Sequence, residues 1–203
     1  PQKMMPSLDF FPLMAVPLFI LTGQLMNNGG ITRRIIALSN VIVGHIRGGL
    51  SHVNVVASMI FAGISGSATA DTAGIGSGLI PAMIEDGYDE DWAVGITAAS
   101  STVGPIIPPS ILMVIYGFMT QLSIARLFLA GLVPGIAIGL ALIVAGYILA
   151  VRRGQARKAR ASMKEMAKAL KNGFPPLLAP VIIIGGITTG VFTATEAGVI
   201  AAL

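Results

Sequence analysis

Apolar residues run along this chain in long blocks, separated by short clusters of glycine, proline, serine and asparagine. Residues 10–26 form a first apolar, helix-length block, closed by Asn27-Asn28-Gly29-Gly30, a helix stop signal. Pro12 and Pro17 stand in its first half, where proline bends a helix. Residues 31–46 differ. Ile31, Ile35, Leu38, Ile42 and Ile46 recur every three or four positions, with Arg33, Arg34, Asn40 and His45 off that stripe. A segment of this size gives about 24 Å of helix, short for a hydrocarbon core about 30 Å thick. The stripe and the length predict a helix lying along a membrane surface.

Residues 53–64 and 73–84 are two apolar runs, each near half the length a membrane span needs. Between them lies Ser65-Gly66-Ser67-Ala68-Thr69-Ala70-Asp71-Thr72, small, polar and acidic. Two half-length runs around a polar turn predict a re-entrant hairpin, because non-helical backbone survives at membrane depth only where protein or a wet cavity satisfies it. Residues 93–118 follow, interrupted by Gly104-Pro105-Ile106-Ile107-Pro108-Pro109-Ser110. Three prolines there remove three N–H donors, so this is a discontinuous helix. Residues 127–151 predict an uninterrupted span, with Gly131, Gly135 and Gly139 spaced for close approach of another helix. Residues 174–190 cross back. Thr193 and Glu196 have capping-box spacing for a further helix. Pro1 opens the chain and Leu203 closes it inside an apolar run, so it reads as a piece of a longer protein.

Composition supports a membrane reading. Hydrophobic residues make up 54% and charged residues 11%, too few charges to coat a soluble domain. The mean hydropathy is +0.84. The expected class is an all-α polytopic membrane protein with no sheet. There is no cysteine, which excludes disulfides, thiolate metal sites and cysteine catalysis.

The charges are sorted. Arg152, Arg153, Arg157, Lys158, Arg160, Lys164, Lys168 and Lys171 form a basic block opposed only by Glu165. Basic loops beside membrane spans face the cytoplasm, so 152–171 is placed there and nucleic acid is not an expected partner. Glu85, Asp86, Asp89, Glu90 and Asp91 cluster, the last three at the start of a helix whose dipole favours them. Tyr88 and Trp92 suit a membrane interface. One topology fits: the first span runs inward, the surface helix and both hairpin ends stay cytoplasmic, the broken helix goes out, and 127–151 returns.

Candidate chemistry gathers at the hairpin tip and the helix break. Ser65, Gly66, Ser67, Thr69 and Thr72 offer hydroxyl and carbonyl oxygens, and so do Thr102, Gly104, Pro105, Pro108, Pro109 and Ser110. Secondary transporters build sites from such half-helices, with N-termini toward anions and unwound carbonyls on Na+. Asp71 is the single acid between Asp9 and Glu85. A charge there costs about 2.5–3.5 kcal/mol on insertion scales, so it is either a cation or proton site or a cap of the second half-helix. Ser65 and Ser67 are either ligands or turn formers. His45 and His52 read as interfacial, and no transition-metal site is expected. The methionines read as packing. Gly74-Ile75-Gly76-Ser77-Gly78 is not a dinucleotide fingerprint, and neither a phosphate loop nor a G-x-S-x-G elbow exists, so neither an enzyme nor a cofactor is expected.

Several long motifs then resemble one family. They are Gly63-Ile-Ser-Gly-Ser-Ala-Thr-Ala-Asp-Thr-Ala-Gly-Ile-Gly76, Gly87-Tyr88, Ser101-Thr-Val-Gly-Pro-Ile-Ile-Pro-Pro-Ser110 and Leu127-Phe-Leu-Ala-Gly-Leu-Val-Pro-Gly135. Val43-Gly-His-Ile-Arg-Gly-Gly49 and Phe192-Thr-Ala-Thr-Glu-Ala197 join them. The chain resembles the large membrane subunit of tripartite ATP-independent periplasmic (TRAP) transporters over nearly its whole length. That resemblance implies an elevator-type ion transporter fold of two inverted repeats, of which this is most of the first. It implies Na+-coupled import of organic anions, such as C4-dicarboxylates or sialic acid, across the bacterial inner membrane. It further implies a periplasmic substrate-binding protein and a small membrane subunit as partners. The first sodium site and one wall of the substrate site would lie between residues 65–72 and 104–110. The competing classes are a passive channel, a carboxylate carrier working without a binding protein, and a structural scaffold.

The resulting organisation is a scaffold span at 1–30, an interfacial arm at 31–52 and a hairpin at 53–84. An acidic loop and broken helix follow at 85–118. A second scaffold span at 119–151, a basic segment at 152–173 and the start of a second repeat at 174–203 complete it.

Overall fold

The computed structural model describes residues 14–202. Residues 10–13 of the first expected span, with Pro12, lie outside the described residues, as do Lys3 and Asp9. Among the described residues the chain is all-helical. Its elements are α1 (Ala15–Asn28), α2 (Ile31–Val43), α3 (Gly49–Ser65), α4 (Ala68–Glu85), α5 (Glu90–Ser101), α6 (Ile111–Thr120), α7 (Ile124–Arg152), α8 (Met163–Thr188) and α9 (Ala194–Ala202). Two of them, α7 and α8, are long and apolar enough to cross a membrane by length and composition.

Glycines and caps set the breaks. Gly30 and Gly48 take left-handed φ of 73° before α2 and α3, a conformation that glycine adopts without a Cβ penalty. The α2 helix has 13 residues, about 20 Å, which agrees with the short helix expected there. Its buried face differs from the predicted stripe. Thr32, Ile35, Leu38 and Ser39 are buried, whereas Ile42 is 52% exposed. The reason is that α2 packs against both α3 and α8, and these two contacts select the face.

Central in the fold is α3. Its Val53, Ala57, Phe61 and Ile64 pack with Ile35 of α2, Ile75 and Leu79 of α4 and Met26 of α1. Between helices in lipid the hydrophobic driving force is weak, so close packing has to hold them. The α7 glycines supply it. Gly131 faces Ile106 and Met113, Gly135 faces Ile107, and Gly139 faces Met59 of α3. All three are buried, so the four-residue glycine spacing does bring other segments close to α7.

Three expectations need correction. The hairpin halves are 17 and 18 residues long, not half that of a span, because polar residues flanking each apolar run are helical too. The turn contracts to Gly66-Ser67, since Ser67 caps α4 and lets Ala68 to Thr72 enter the helix. The basic block divides: Arg157, Lys158 and Arg160 lie in a loop between α7 and α8, whereas Lys164, Lys168 and Lys171 belong to the helix that was expected to start near 174. A capping box at Ser162 and Glu165 starts α8 at Met163, and the helix runs unbroken into the apolar part. Pro175, Pro176 and Pro180 lie inside α8. The first two leave the carbonyls of Lys171 and Asn172 without i+4 donors, and both residues are exposed.

Tyr88 and Trp92, expected at a membrane interface, pack within the protein core. Both are buried, 4.8 Å apart between ring centroids. Of the acids beginning α5, Asp89 makes no cap bond and instead pairs with Arg153, whose guanidinium also lies 5.4 Å over Trp92. His52 is buried rather than interfacial, with Nε2 2.9 Å from the Arg47 carbonyl oxygen. The expected capping box of α9 is present: the Thr193 N–H donates to Glu196 at 2.8 Å, and the Glu196 N–H to the Thr193 hydroxyl at 3.3 Å.

Candidate functional site

Two helix interruptions meet here. At the first, α3 ends at Ser65, Gly66 turns the chain at φ 60°, and Ser67 is extended as the N-cap of α4. The Ser67 hydroxyl oxygen accepts the Ala70 N–H at 3.4 Å and lies 3.0 Å from the Thr69 hydroxyl. At the second, α5 ends at Ser101 and the chain winds through Gly104 and the prolines to Ser110, which caps α6. The Ser110 hydroxyl donates to the Pro105 carbonyl at 2.5 Å and accepts the Met113 N–H at 3.2 Å.

The two interruptions touch directly. The Ile111 N–H donates to the Gly66 carbonyl at 3.5 Å. A Cβ added to Gly104 would lie 3.2 Å from the Ala68 nitrogen and from the Ser67 carbonyl carbon. A Cβ on Gly66 would run into the Pro109 carbonyl oxygen. The C-terminal ends of α3 and α5 therefore come together with the N-terminal ends of α4 and α6. Helix ends carry free carbonyls on one side and free N–H groups on the other, equivalent to about half a charge of each sign. Such a meeting point can hold a cation and an anion side by side.

Asp71 sits in the first turn of α4, 0% exposed. The hydroxyls of Ser58 and Ser101 lie beside its carboxylate but bond elsewhere, Ser58 with the Ser100 hydroxyl at 3.0 Å and Ser101 to the Thr97 carbonyl at 2.8 Å, so neither carboxylate oxygen completes a hydrogen bond. The cap of α4 is Ser67, and Asp71 accepts no backbone N–H. Behind it runs a buried polar network. The Asn54 amide donates to the Thr97 hydroxyl at 2.6 Å, Ser100 donates to the Asn54 amide oxygen at 3.1 Å, and the Ser58 and Ser100 hydroxyls are 3.0 Å apart. This network joins α3 of the hairpin to α5 of the broken helix.

A cavity of about 510 Å³ opens between α1 and the hairpin tip. Gln24 and Asn27 of α1 face Ser65, Ser67 and Thr69 across it, with Phe19 and Phe61 as apolar walls. That volume suits a small organic molecule.

The structure thus gathers Ser65, Gly66, Ser67, Gly104, Pro109 and Ser110 at one place, with Pro105 and Pro108 forming the turn. Thr69 reaches the cavity. Asp71 lies behind the tip rather than in the cavity lining. Thr72 and Thr102 are exposed, their hydroxyls bonded to the Ala68 and Ala99 carbonyls at 2.9 and 2.7 Å. Gln24, Asn27, Asn54 and Ser58 were not legible as site residues. The available signal was polar residues at i, i+3 and i, i+4 inside apolar helices, which place them on one face. Among the described residues no group of His, Cys, Asp and Glu could hold a metal ion.

The family model described as "Tripartite ATP-independent periplasmic transporter, DctM component" matches residues 1–203. The chain is 49% identical over 201 residues to the sialic acid TRAP transporter permease protein SiaT of Haemophilus influenzae, covering 99% of this chain and 33% of that protein. It is 49% identical over 202 residues to the sialic acid TRAP transporter large permease protein SiaM of Vibrio cholerae, covering 100% and 47%. It is 42% identical over 201 residues to the C4-dicarboxylate TRAP transporter large permease protein DctM of Pseudomonas aeruginosa, covering 99% and 47%. The chain therefore spans between a third and a half of the length of these curated relatives.

Proposed function

As this chain belongs to the DctM component family of the tripartite ATP-independent periplasmic transporters, we propose that it is part of a Na+-coupled permease importing small organic anions across the bacterial inner membrane. It is a transporter component and not an enzyme, in line with its named relatives. The cargo class is a carboxylate of the kind those names print, sialic acid or a C4-dicarboxylate. A periplasmic binding protein delivers it, and a small membrane subunit braces the permease.

The observation that carries this reading is the contact of Gly66 with Ile111, which brings four helix ends and the buried Asp71 into one region. Carbonyls ending α3 and α5, with the Ser65 and Ser67 hydroxyls, form an oxygen-only set suited to Na+. The N-termini of α4 and α6, capped by Ser67 and Ser110, favour a carboxylate. The cavity facing Gln24 and Asn27 is where the anion enters, and residues elsewhere in the full-length protein complete the pocket.

The hairpin of α3 and α4 is re-entrant in this proposal. Together with α5 and α6 it moves as one body against a scaffold of α1 and α7, in an elevator motion. The Asn54–Thr97–Ser100 network supports rigid coupling of the hairpin to the broken helix. Each Na+ entering down a 100 mV potential supplies about 2.3 kcal/mol.

Uptake by the full-length permease, reconstituted with its small subunit and binding protein, tests this. Accumulation is expected only under an inward Na+ gradient. Accumulation that persists when the gradient is collapsed sinks the coupling, and equilibration without accumulation points to a passive channel.

A further inference from the structure

A second cavity, of about 640 Å³, lies between α2 and the start of α8. Arg33 and Arg34 line it from α2, and Arg160 and Lys168 from the loop and first turns on the other side. Among the described residues none of these four cations has an ion pair, since the pairs found are Arg153–Asp89 and Lys158–Asp86. Lys158 also borders the cavity, but its ammonium is held by Asp86 at 2.6 Å. The one acid in the lining, Glu165, is turned to the capping box, accepting the Ser162 N–H at 2.8 Å and hydroxyl at 2.9 Å.

Like charges from two segments 120 residues and more apart repel, yet the fold brings them together through an apolar contact. Gly173 of α8 sits against Leu38 of α2 so closely that a Cβ would be 2.9 Å from Leu38 Cδ2. The remaining walls mix small apolar residues, Ala37, Val41, Ala159, Ala161 and Ala169, with the polar Asn40, His45 and Asn172. Along α8 the cavity face of Lys168, Ala169 and Asn172 continues into the buried Pro176 and Ile183, while the exposed Phe174 and Val181 lie on the opposite face. A ligand for this place needs an anionic group for the arginines, at the basic start of a helix long and apolar enough to cross a membrane.

We propose that this cavity binds the phosphate headgroup of an anionic phospholipid. Arginine's planar fork suits phosphate oxygens. A basic pocket beside membrane helices is a recognised setting for lipid headgroups. The bound headgroup offsets part of the repulsion among the four cations and clamps α2 to α8, a role independent of the transport cycle. Failure of this proposal leaves Na+-coupled uptake untouched.

Native mass spectrometry of the full-length permease assembly, loaded with phosphatidylglycerol or phosphatidylcholine, provides the test. Wild type is expected to retain phosphatidylglycerol preferentially. The Arg34→Gln/Arg160→Gln variant is expected to lose that retention about tenfold while holding phosphatidylcholine as before, which also reports that it folds. Arg34→Lys/Arg160→Lys is expected to keep most of it. Arg152→Gln/Arg157→Gln removes equal charge outside the cavity and is expected to change little. Equal loss in that control, or unchanged retention in the cavity variant, overturns the proposal. Displacement by inorganic phosphate at matched concentration overturns the lipid as ligand and leaves a simple anion site.

Discussion

Asn54 of the hairpin donates to Thr97 of the broken helix at 2.6 Å, both fully buried and 43 positions apart in the chain. Thr97 also donates to the Ala93 carbonyl at 2.7 Å, and Ser100 reaches the Asn54 amide oxygen. Removing Asn54 strips partners from two hydroxyls at once. Asn54→Ala is expected to destabilise the full-length permease by about 2–3 kcal/mol, from the lost bonds and the space left behind. A double-mutant cycle with Thr97→Val, read by denaturant unfolding in detergent, should give a coupling of about 1 kcal/mol or more. A coupling near zero would show that the two elements are not clasped at this point.

Asp71 presents the opposite case, a buried carboxylate whose oxygens have no hydrogen-bond partner. Its charge is a burden to the fold unless a cation or proton sits with it. Asp71→Asn is therefore expected not to lower the thermal midpoint in Na+-free buffer, while abolishing any stabilisation that added Na+ confers on wild type. Retained Na+ stabilisation in this variant would remove Asp71 from the proposed cation site.

Gly66 has φ 60° and faces the Pro109 carbonyl, so an added Cβ meets both backbone strain and a collision. Gly66→Ala is expected to cost at least about 1–2 kcal/mol from the left-handed conformation alone. It should also abolish uptake by pushing the hairpin tip off the helix break. Unfolding midpoints and reconstituted transport check the two effects separately.

Tyr88 lies in the link between α4 and α5, its hydroxyl near the backbone of Leu50 and Ser51. Burial, and secondly the charge of Asp86, push its pKa up to about 12 from the usual 10. The folded state thus holds this proton more tightly than the unfolded chain. The linked stability is complete below pH 10 and lost as pH rises toward 12. Tyr88→Phe is expected to flatten the fall in unfolding midpoint over that interval relative to wild type. Parallel curves for the two proteins would contradict this linkage.

Much of this protein is determined by sequence alone. Apolar block length and the glycine and proline breaks set helices at α2, α5, α6 and α7, because a missing donor or a left-handed turn is a local property of the chain. Ser65 to Ser67 and Gly104 to Ser110 are legible as helix interruptions for the same reason: polar, helix-breaking residues stand out in an apolar chain. The α8 start was missed although Ser162 and Glu165 carry its signal, since the charge block invited a separate segment.

Only the tertiary structure decided which polar side chains face one another. Asn54 and Ser58 look like minor interruptions of a helix until α5 is packed against it, and Gln24 becomes a cavity residue only when α1 lies beside the hairpin. Whether Asp71 caps a helix was settled by Ser67 reaching the Ala70 N–H first, leaving the carboxylate turned toward Ser58 and Ser101. Local sequence sets where backbone groups are freed, whereas the long-range packing of helices fixes which freed groups share a site.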